Sequence, residues 1–267
     1  MVDVSIIMGI YNCASTLEDA INSLFNQTYE NWQLIMCDDA SNDETYKIAK
    51  KFSDRFENII LIRNDENMGL NYTLNRCLEL VDTEFVARMD GDDISLPTRL
   101  EKEINFLKLN KKYSIVSTDM IYFDHNGDWG KSNMKEYPQK KDLISGTPFC
   151  HAPCMVRTEA YRKVGGYTVD KKLLRMEDYH LWYKMYAQGY VGYNIKESLY
   201  KMRDDRDATK RRKYKFRINE AYVRYLIMKD YNLSKKNLIY ILRPLVVGLL
   251  PASIYEILHK KRMENIQ

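Results

Sequence analysis

Asp90-Gly-Asp92-Asp93 directly follows Glu84-Phe-Val-Ala-Arg-Met89, a short apolar run that reads as a strand entering a core. Carboxylates this close repel one another and gain little by packing, so a strand that ends in them is suited to presenting them to a cation. Mn²⁺ or Mg²⁺ fits such an all-oxygen set and keeps positions for water and for the oxygens of a substrate phosphate. A solvated acidic turn is the competing reading, because Asp and Gly are ordinary turn residues. A second acidic pair, Glu177-Asp178, precedes apolar Leu181, Trp182 and Met185, which places both acids in the first turn of a helix. The helix dipole alone favours acids there. Asp39 can accept hydrogen bonds from a base or ribose, Tyr11 can stack on a base, and His151 can contact a diphosphate or a metal.

The first half of the chain alternates short β-branched runs with helical patterns, which predicts an α/β protein with a Rossmann-like, mostly parallel sheet flanked by helices. The strands are read at Val4–Met8, Trp32–Cys37, Asn58–Ile62 and Glu84–Met89. The helices are read at Ser15–Asn26, from a Ser41 N-cap to Phe52, at Gly69–Leu80, and from Leu96-Pro97 to Asn110. A strand over Ser114–Phe123 and a turn over Asp124–Asp128 follow, and Lys131–Thr147 reads as a long loop near a site. Ligands in such sheets bind beyond the carboxyl ends of the strands. Tyr11-Asn12, Asp38-Asp39, Arg63-Asn64 and Asp90–Asp93 all fall there. Neither a Gly-x-Gly-x-x-Gly nor a Walker-type phosphate loop is present, so a nucleotide must be held by other means.

With 267 residues, 45% hydrophobic and 29% charged, the chain can bury a full core and lacks the composition of a disordered protein. A formal net charge of +4 and the lack of a recognisable nucleic-acid module argue against nucleic-acid binding. Five cysteines form an odd set, as expected of free thiols in a reducing cytoplasm. Cys150 and Cys154 with His151 between them could make half a zinc site, but no second pair completes it. The N-terminus does not read as a signal peptide. The apolar stretch Leu238–Tyr255 contains Arg243-Pro244, Gly248 and Pro251 and makes a poor spanning helix.

Seven segments in order resemble family 2 inverting glycosyltransferases of the GT-A fold, of the kind that build bacterial cell-surface polysaccharides. They are Ser5-Ile-Ile-Met-Gly-Ile-Tyr-Asn12, Cys37-Asp-Asp-Ala-Ser-Asn-Asp43, Asn67-Met-Gly-Leu-Asn71, Ala87-Arg-Met-Asp-Gly-Asp-Asp-Ile-Ser95, His151-Ala-Pro-Cys-Met155, Val164-Gly-Gly-Tyr167 and Glu177-Asp-Tyr-His-Leu-Trp182. The resemblance implies a nucleotide-sugar donor, with a UDP-sugar the commonest, and a divalent cation. It also implies transfer to a glycan hydroxyl with inversion at the anomeric carbon. Carried onto this chain, Asp39 contacts the base, Asp90 the ribose or donor sugar, and Asp92 the metal on the diphosphate. Asp178 is the catalytic base, and Tyr11, Asn71, His151 and Glu177 join it as substrate contacts. Gly91 stands where the family often has Ala or Ser, a change expected to cost little, and Gly9 where it often has Pro or Thr.

The expected organisation is a catalytic domain over 1–202, with a nucleotide-sugar half (1–95) and an acceptor half (96–202), followed by a helical extension over 203–267. That extension is basic at Lys210–Lys213 and at His259–Arg262 and apolar between. It reads either as surface helices on an anionic inner leaflet, suited to a lipid-linked or oligosaccharide acceptor, or as helices packed on the catalytic domain or in a homodimer. The alternative function is a scaffold that binds nucleotide-sugar without transferring it. Retention of Asp39, Asp90, Asp92, Glu177 and Asp178 argues against that.

Overall fold

A computed structural model describes residues 2–204 and 213–249. Strands β1 (Val4–Ile10), β2 (Trp32–Asp38), β3 (Ile59–Arg63) and β4 (Phe85–Arg88) alternate with helices α1 (Leu17–Phe25), α2 (Thr45–Arg55) and α3 (Leu70–Glu79). Then come β5 (Ile94–Ser95), α4 (Arg99–Leu109), β6 (Ile115–Asp124), β7 (Gly127–Lys131), β8 (Met155–Arg157), α5 (Thr158–Val164), α6 (Glu177–Ala187) and β9 (Gly192–Arg203). Helices α7 (Tyr214–Asp230) and α8 (Leu238–Gly248) close the described chain.

The strands form one mixed sheet in the order β3-β2-β1-β4-β8-β6-β9-β5, with β7 paired to β6. The β3-β2-β1-β4 part is parallel, whereas β8 runs antiparallel to both β4 and β6. Both faces of the parallel part are covered, which is why β1, β2 and β4 are largely apolar runs rather than alternating ones. Ile6, Met8 and Ile10 of β1 join Leu17, Ile21, Leu24, Leu100 and Ile104 in a core on one side. Ile7 lies in a second core with Leu74, Cys77, Val156, Trp182, Val223 and Ile227. Each such buried aliphatic contributes roughly 1.5–3 kcal/mol of transfer free energy.

The structure corrects the sequence reading at one cap. Helix α2 begins at Thr45, whose N–H donates to Asp43 Oδ1 at 3.0 Å, and Ser41 lies outside the helix with its Oγ accepting from Asn12 N–H at 3.0 Å. Helix α7 packs on the body through Val223, Ile227 and Arg224, the last donating to the carbonyls of Ile144 (2.7 Å) and Ser145 (3.0 Å). The basic runs at 210–212 and 259–262, and the end of the apolar stretch, lie outside the described residues.

Candidate active site

Parallel pairing of β1, β2 and β3 puts Ile10, Asp38 and Arg63 in one row, so Tyr11, Asp39 and Asn64 emerge together one residue later. The strand order reverses between β1 and β4, and the crevice of an open α/β sheet lies at such a point. The loops after β1 and β2 are laced together. Cys13 N–H donates to Thr45 Oγ1 (2.8 Å), Ala14 N–H to Asp43 Oδ2 (3.2 Å) and Asn42 N–H to Asn12 Oδ1 (2.9 Å). Asn12 and Ala40 hold positive φ in these turns, a conformation that costs a non-glycine residue energy and persists where surrounding bonds fix it. Tyr11 is left exposed at the rim.

Asp39 is buried and holds the loop that leads into α3. Its Oδ1 accepts from Asn64 Nδ2 (2.7 Å) and Met68 N–H (2.8 Å), and its Oδ2 accepts from Gly69 N–H (2.8 Å). Gly69 takes φ +85° there, which an L side chain rarely adopts. A carboxylate offers about four lone-pair positions, so three protein donors leave one direction for a ligand. Asn71, on the first turn of α3, donates to the carbonyl of Thr168 at 2.8 Å and so ties this end of the sheet to the Gly-Gly-Tyr loop.

The acidic loop follows β4. Oxygens of Asp90, Asp92 and Asp93 lie within 4.8 Å of one another, the one such ligand set among the described residues. Asp90 is gripped by Arg88, whose Nη1 donates to Oδ2 at 2.7 Å while Nη2 donates to Oδ1. Asp93 is buried and accepts from Arg203 N–H at 2.8 Å. Burial first, and the charge of Asp90 second, push Asp92 up to about 6 and hold Asp93 well above the usual carboxylate range. Crowded acids of this kind favour a hard divalent cation, so the donor set fits Mn²⁺ or Mg²⁺.

Across from this loop, α6 starts at Glu177 and Asp178, the residue before it being Met176 and the one before that, Arg175, holding φ +65°. Burial raises Asp178; burial and then the Asp178 charge raise Glu177 to about 7. The Arg88 cation opposes both shifts. It also helps burial to keep His151 well below its ordinary range, so that ring is neutral. His151 Nε2 shares a hydrogen bond of 2.8 Å with Tyr167 Oη, and its ring packs edge-on against Trp182. Arg88, which grips Asp90, thus also acts electrostatically on the acids of α6. Cys150 and Cys154 are buried free thiols, the former donating to Ser132 Oγ.

A model of glycosyl transferase family 2 matches residues 5–165. The chain belongs to glycosyl transferase family 2. As a glycosyltransferase it is 43% identical to EpsE of Bacillus subtilis (strain 168) over 263 residues, which cover 98% of this chain and 95% of that protein. It is 29% identical over 270 residues to the UDP-Gal:alpha-D-GlcNAc-diphosphoundecaprenol beta-1,3-galactosyltransferase of Escherichia coli, covering 96% and 95%. The fold is of the GT-A type. TarS 1–349 of S. aureus in complex with UDP-GlcNAc superposes with a TM-score of 0.69 at 18% identity, over 92% of this chain and 72% of that one.

This glycosyltransferase builds its acidic loop with help that sequence reading missed. Tyr200 Oη accepts from Asp90 N–H (3.2 Å), and Arg203 Nε donates to the carbonyl of Asp92 (3.2 Å), both from β9. Buried Arg99 lies under the loop, donating to the carbonyl of Arg88 at 2.8 Å and covering the Tyr200 ring. These contacts join residues up to 111 positions apart, which no local pattern announces.

Proposed function

We propose that this glycosyltransferase moves a sugar from a UDP-sugar to a hydroxyl of a lipid-linked glycan acceptor, with inversion, in cell-surface polysaccharide synthesis. The observation that carries the reading is that one buried cation serves two acidic sets: Arg88 grips Asp90 of the Asp90, Asp92 and Asp93 cluster, and its charge also reaches the half-buried Glu177–Asp178 pair. Of the proteins named above, the Escherichia coli galactosyltransferase uses UDP-Gal and a diphosphoundecaprenol-linked acceptor, and TarS 1–349 binds UDP-GlcNAc.

The donor base lies between Tyr11 and the free direction of Asp39, and Asp90 contacts the ribose or donor sugar. Asp92 and Asp93 would hold a divalent cation, which when bound offsets the charge of the departing diphosphate. Asp178 takes the proton of the acceptor hydroxyl as that oxygen bonds to the anomeric carbon and the carbon–oxygen bond to the diphosphate breaks. Burial keeps Asp178 a better base than an ordinary surface carboxylate. Glu177 and His151 line the acceptor and donor-sugar side, with Asn71 fixing the loop that carries Tyr167. The test is release of UDP from a panel of UDP-sugars with Mn²⁺ and an undecaprenyl-diphosphate-linked sugar. The anomeric configuration of the product is then read by NMR. Release of UDP without transfer to any sugar hydroxyl, or a retained configuration, contradicts the reading.

A further inference from the structure

Helix α8 leaves its apolar side uncovered. Ile239 (67% exposed), Leu242 (55%), Val246 (60%) and Leu249 (73%), with Leu238 beside them, are open to solvent, whereas Pro244 on the opposite side is buried. At 3.6 residues per turn these five positions fall within an arc of about 100°, one continuous stripe along the helix. A soluble domain rarely leaves such a stripe open without a use for it.

The charges around the stripe select its occupant. From Tyr231 to Leu249 the sequence contains Lys235, Lys236 and Arg243 and no Asp or Glu. Lys235 and Lys236 are exposed in the turn that leads into α8, and Arg243 is exposed beside Leu242. Apolar side chains flanked by cations match an anionic bilayer surface, in which the aliphatic groups enter the headgroup boundary and the ammonium groups meet lipid phosphates. No helix among the described residues is long and apolar enough to cross a membrane, so the helix lies along the surface.

We propose that the outer face of α8 docks this protein on an anionic lipid surface. The acceptor class proposed above gives the docking its purpose, and the proposal rests on that reading to this extent. Helix α7 bolts α8 to the acceptor side of the site. Asn219 donates to the carbonyl of Leu174 at 3.0 Å, three residues before Glu177, and Arg224 donates to the carbonyl of Ile144. Docking through α8 therefore sets the α6 acids at a fixed offset from the lipid headgroups.

The test is sedimentation of the full chain with vesicles of phosphatidylglycerol and phosphatidylcholine, and with phosphatidylcholine alone. Calorimetry with UDP and light scattering for oligomeric state accompany it. The full chain should pellet with the anionic vesicles at low salt and little with the neutral ones. Ile239→Glu/Leu242→Glu should lower that partitioning by roughly 100-fold or more, and Lys235→Ser/Lys236→Ser by on the order of ten-fold. Both variants should keep the parent's UDP affinity, which shows them folded. Failure of the parent to bind anionic vesicles, or equal binding by the Ile239→Glu/Leu242→Glu variant, overturns the proposal. So does conversion of a dimer to a monomer by these substitutions, which assigns the face to a second copy of the chain. Absence of UDP binding in parent and variants, with vesicle binding intact, counts against the donor reading and leaves the docking face standing.

Discussion

The guanidinium of Arg88 holds both carboxylate oxygens of Asp90, with Nη1 2.7 Å from Oδ2. The bidentate pair settles which acids in the loop are already balanced. Asp90 has its own counter-charge, so the excess negative charge sits on Asp92 and Asp93, the two whose protons are held more tightly than usual. The same guanidinium is buried and its charge also reaches Asp178, so the loop after β4 and the start of α6 share one fixed cation.

The metal assignment predicts the behaviour of Asp92→Asn. The substitution should abolish metal-dependent binding of UDP, with the melting temperature close to that of the parent, because burial and the Asp90 charge already disfavour the Asp92 carboxylate in the folded protein. Calorimetry with and without EDTA checks this, and an unchanged EDTA-sensitive affinity would remove Asp92 from the site.

Asp39 has a dual role, so its loss should show in two readouts. Asp39→Ala removes the acceptor of the Met68 and Gly69 N–H groups and one of the two acceptors of Asn64 Nδ2, which keeps Thr73 Oγ1 at 3.1 Å, and a hydrogen bond to a charged group is worth roughly 1.5–3 kcal/mol. A lower melting temperature and weaker UDP binding should appear together. Weaker binding with full stability would mean that those donors find other partners.

The packing around Gly91 leaves little room for a side chain. A Cβ at Gly91 would stand 2.9 Å from Cys13 Sγ and 3.2 Å from Ile10 Cγ2. Gly91→Ala should therefore destabilise the protein by roughly 1–3 kcal/mol, the range for overpacking. Cys13→Gly should recover much of that loss in the double variant, and denaturant unfolding of the four proteins in the cycle measures the coupling.

The Glu177–Asp178 pair makes the pH dependence specific. Asp178 must lose its proton to act as base, and burial raises it, so kcat/KM should rise with pH along a limb above the ordinary carboxylate range. The charge of Asp178 raises Glu177 while burial alone raises Asp178, so Glu177→Gln should leave that limb where it is. Stability moves the opposite way. The folded state holds the Glu177 proton more tightly than the unfolded chain, so this contribution is complete below the ordinary value of 4.5 and is lost as pH rises through about 7. Melting temperature against pH should fall less over that window in Glu177→Gln.

The nucleotide half was legible because its signals are local. β1 to β4 and α1 to α4 lie within a few residues of the positions that apolar periodicity predicts, and parallel order follows from the alternation of strand and helix. In the acceptor half α4 and β6 were legible on the same grounds, and most of the rest was not. β8 spans three residues and β5 two, too short to show a period. β9 carries Lys196 and Glu197 mid-strand and pairs with β6 through two register shifts, so alternation is lost. The roles of Tyr200, Arg203 and Arg99 depend on that long-range pairing. By contrast, the Asp90 to Asp93 cluster and the Glu177–Asp178 helix start are local patterns visible in the sequence, and the family resemblance singled them out from an ordinary acidic turn and an ordinary acidic helix start.

The transfer rate of Asp178→Asn, measured beside its donor affinity, tests the account most directly. A general base contributes ~10²–10⁴-fold to rate. Turnover with a UDP-sugar, Mn²⁺ and a lipid-linked acceptor should fall by about that factor while calorimetric UDP affinity stays within about two-fold, since the base meets the acceptor hydroxyl and not the nucleotide. Near-normal turnover in Asp178→Asn would contradict the assignment of the base, and loss of UDP binding would place Asp178 in the nucleotide site instead.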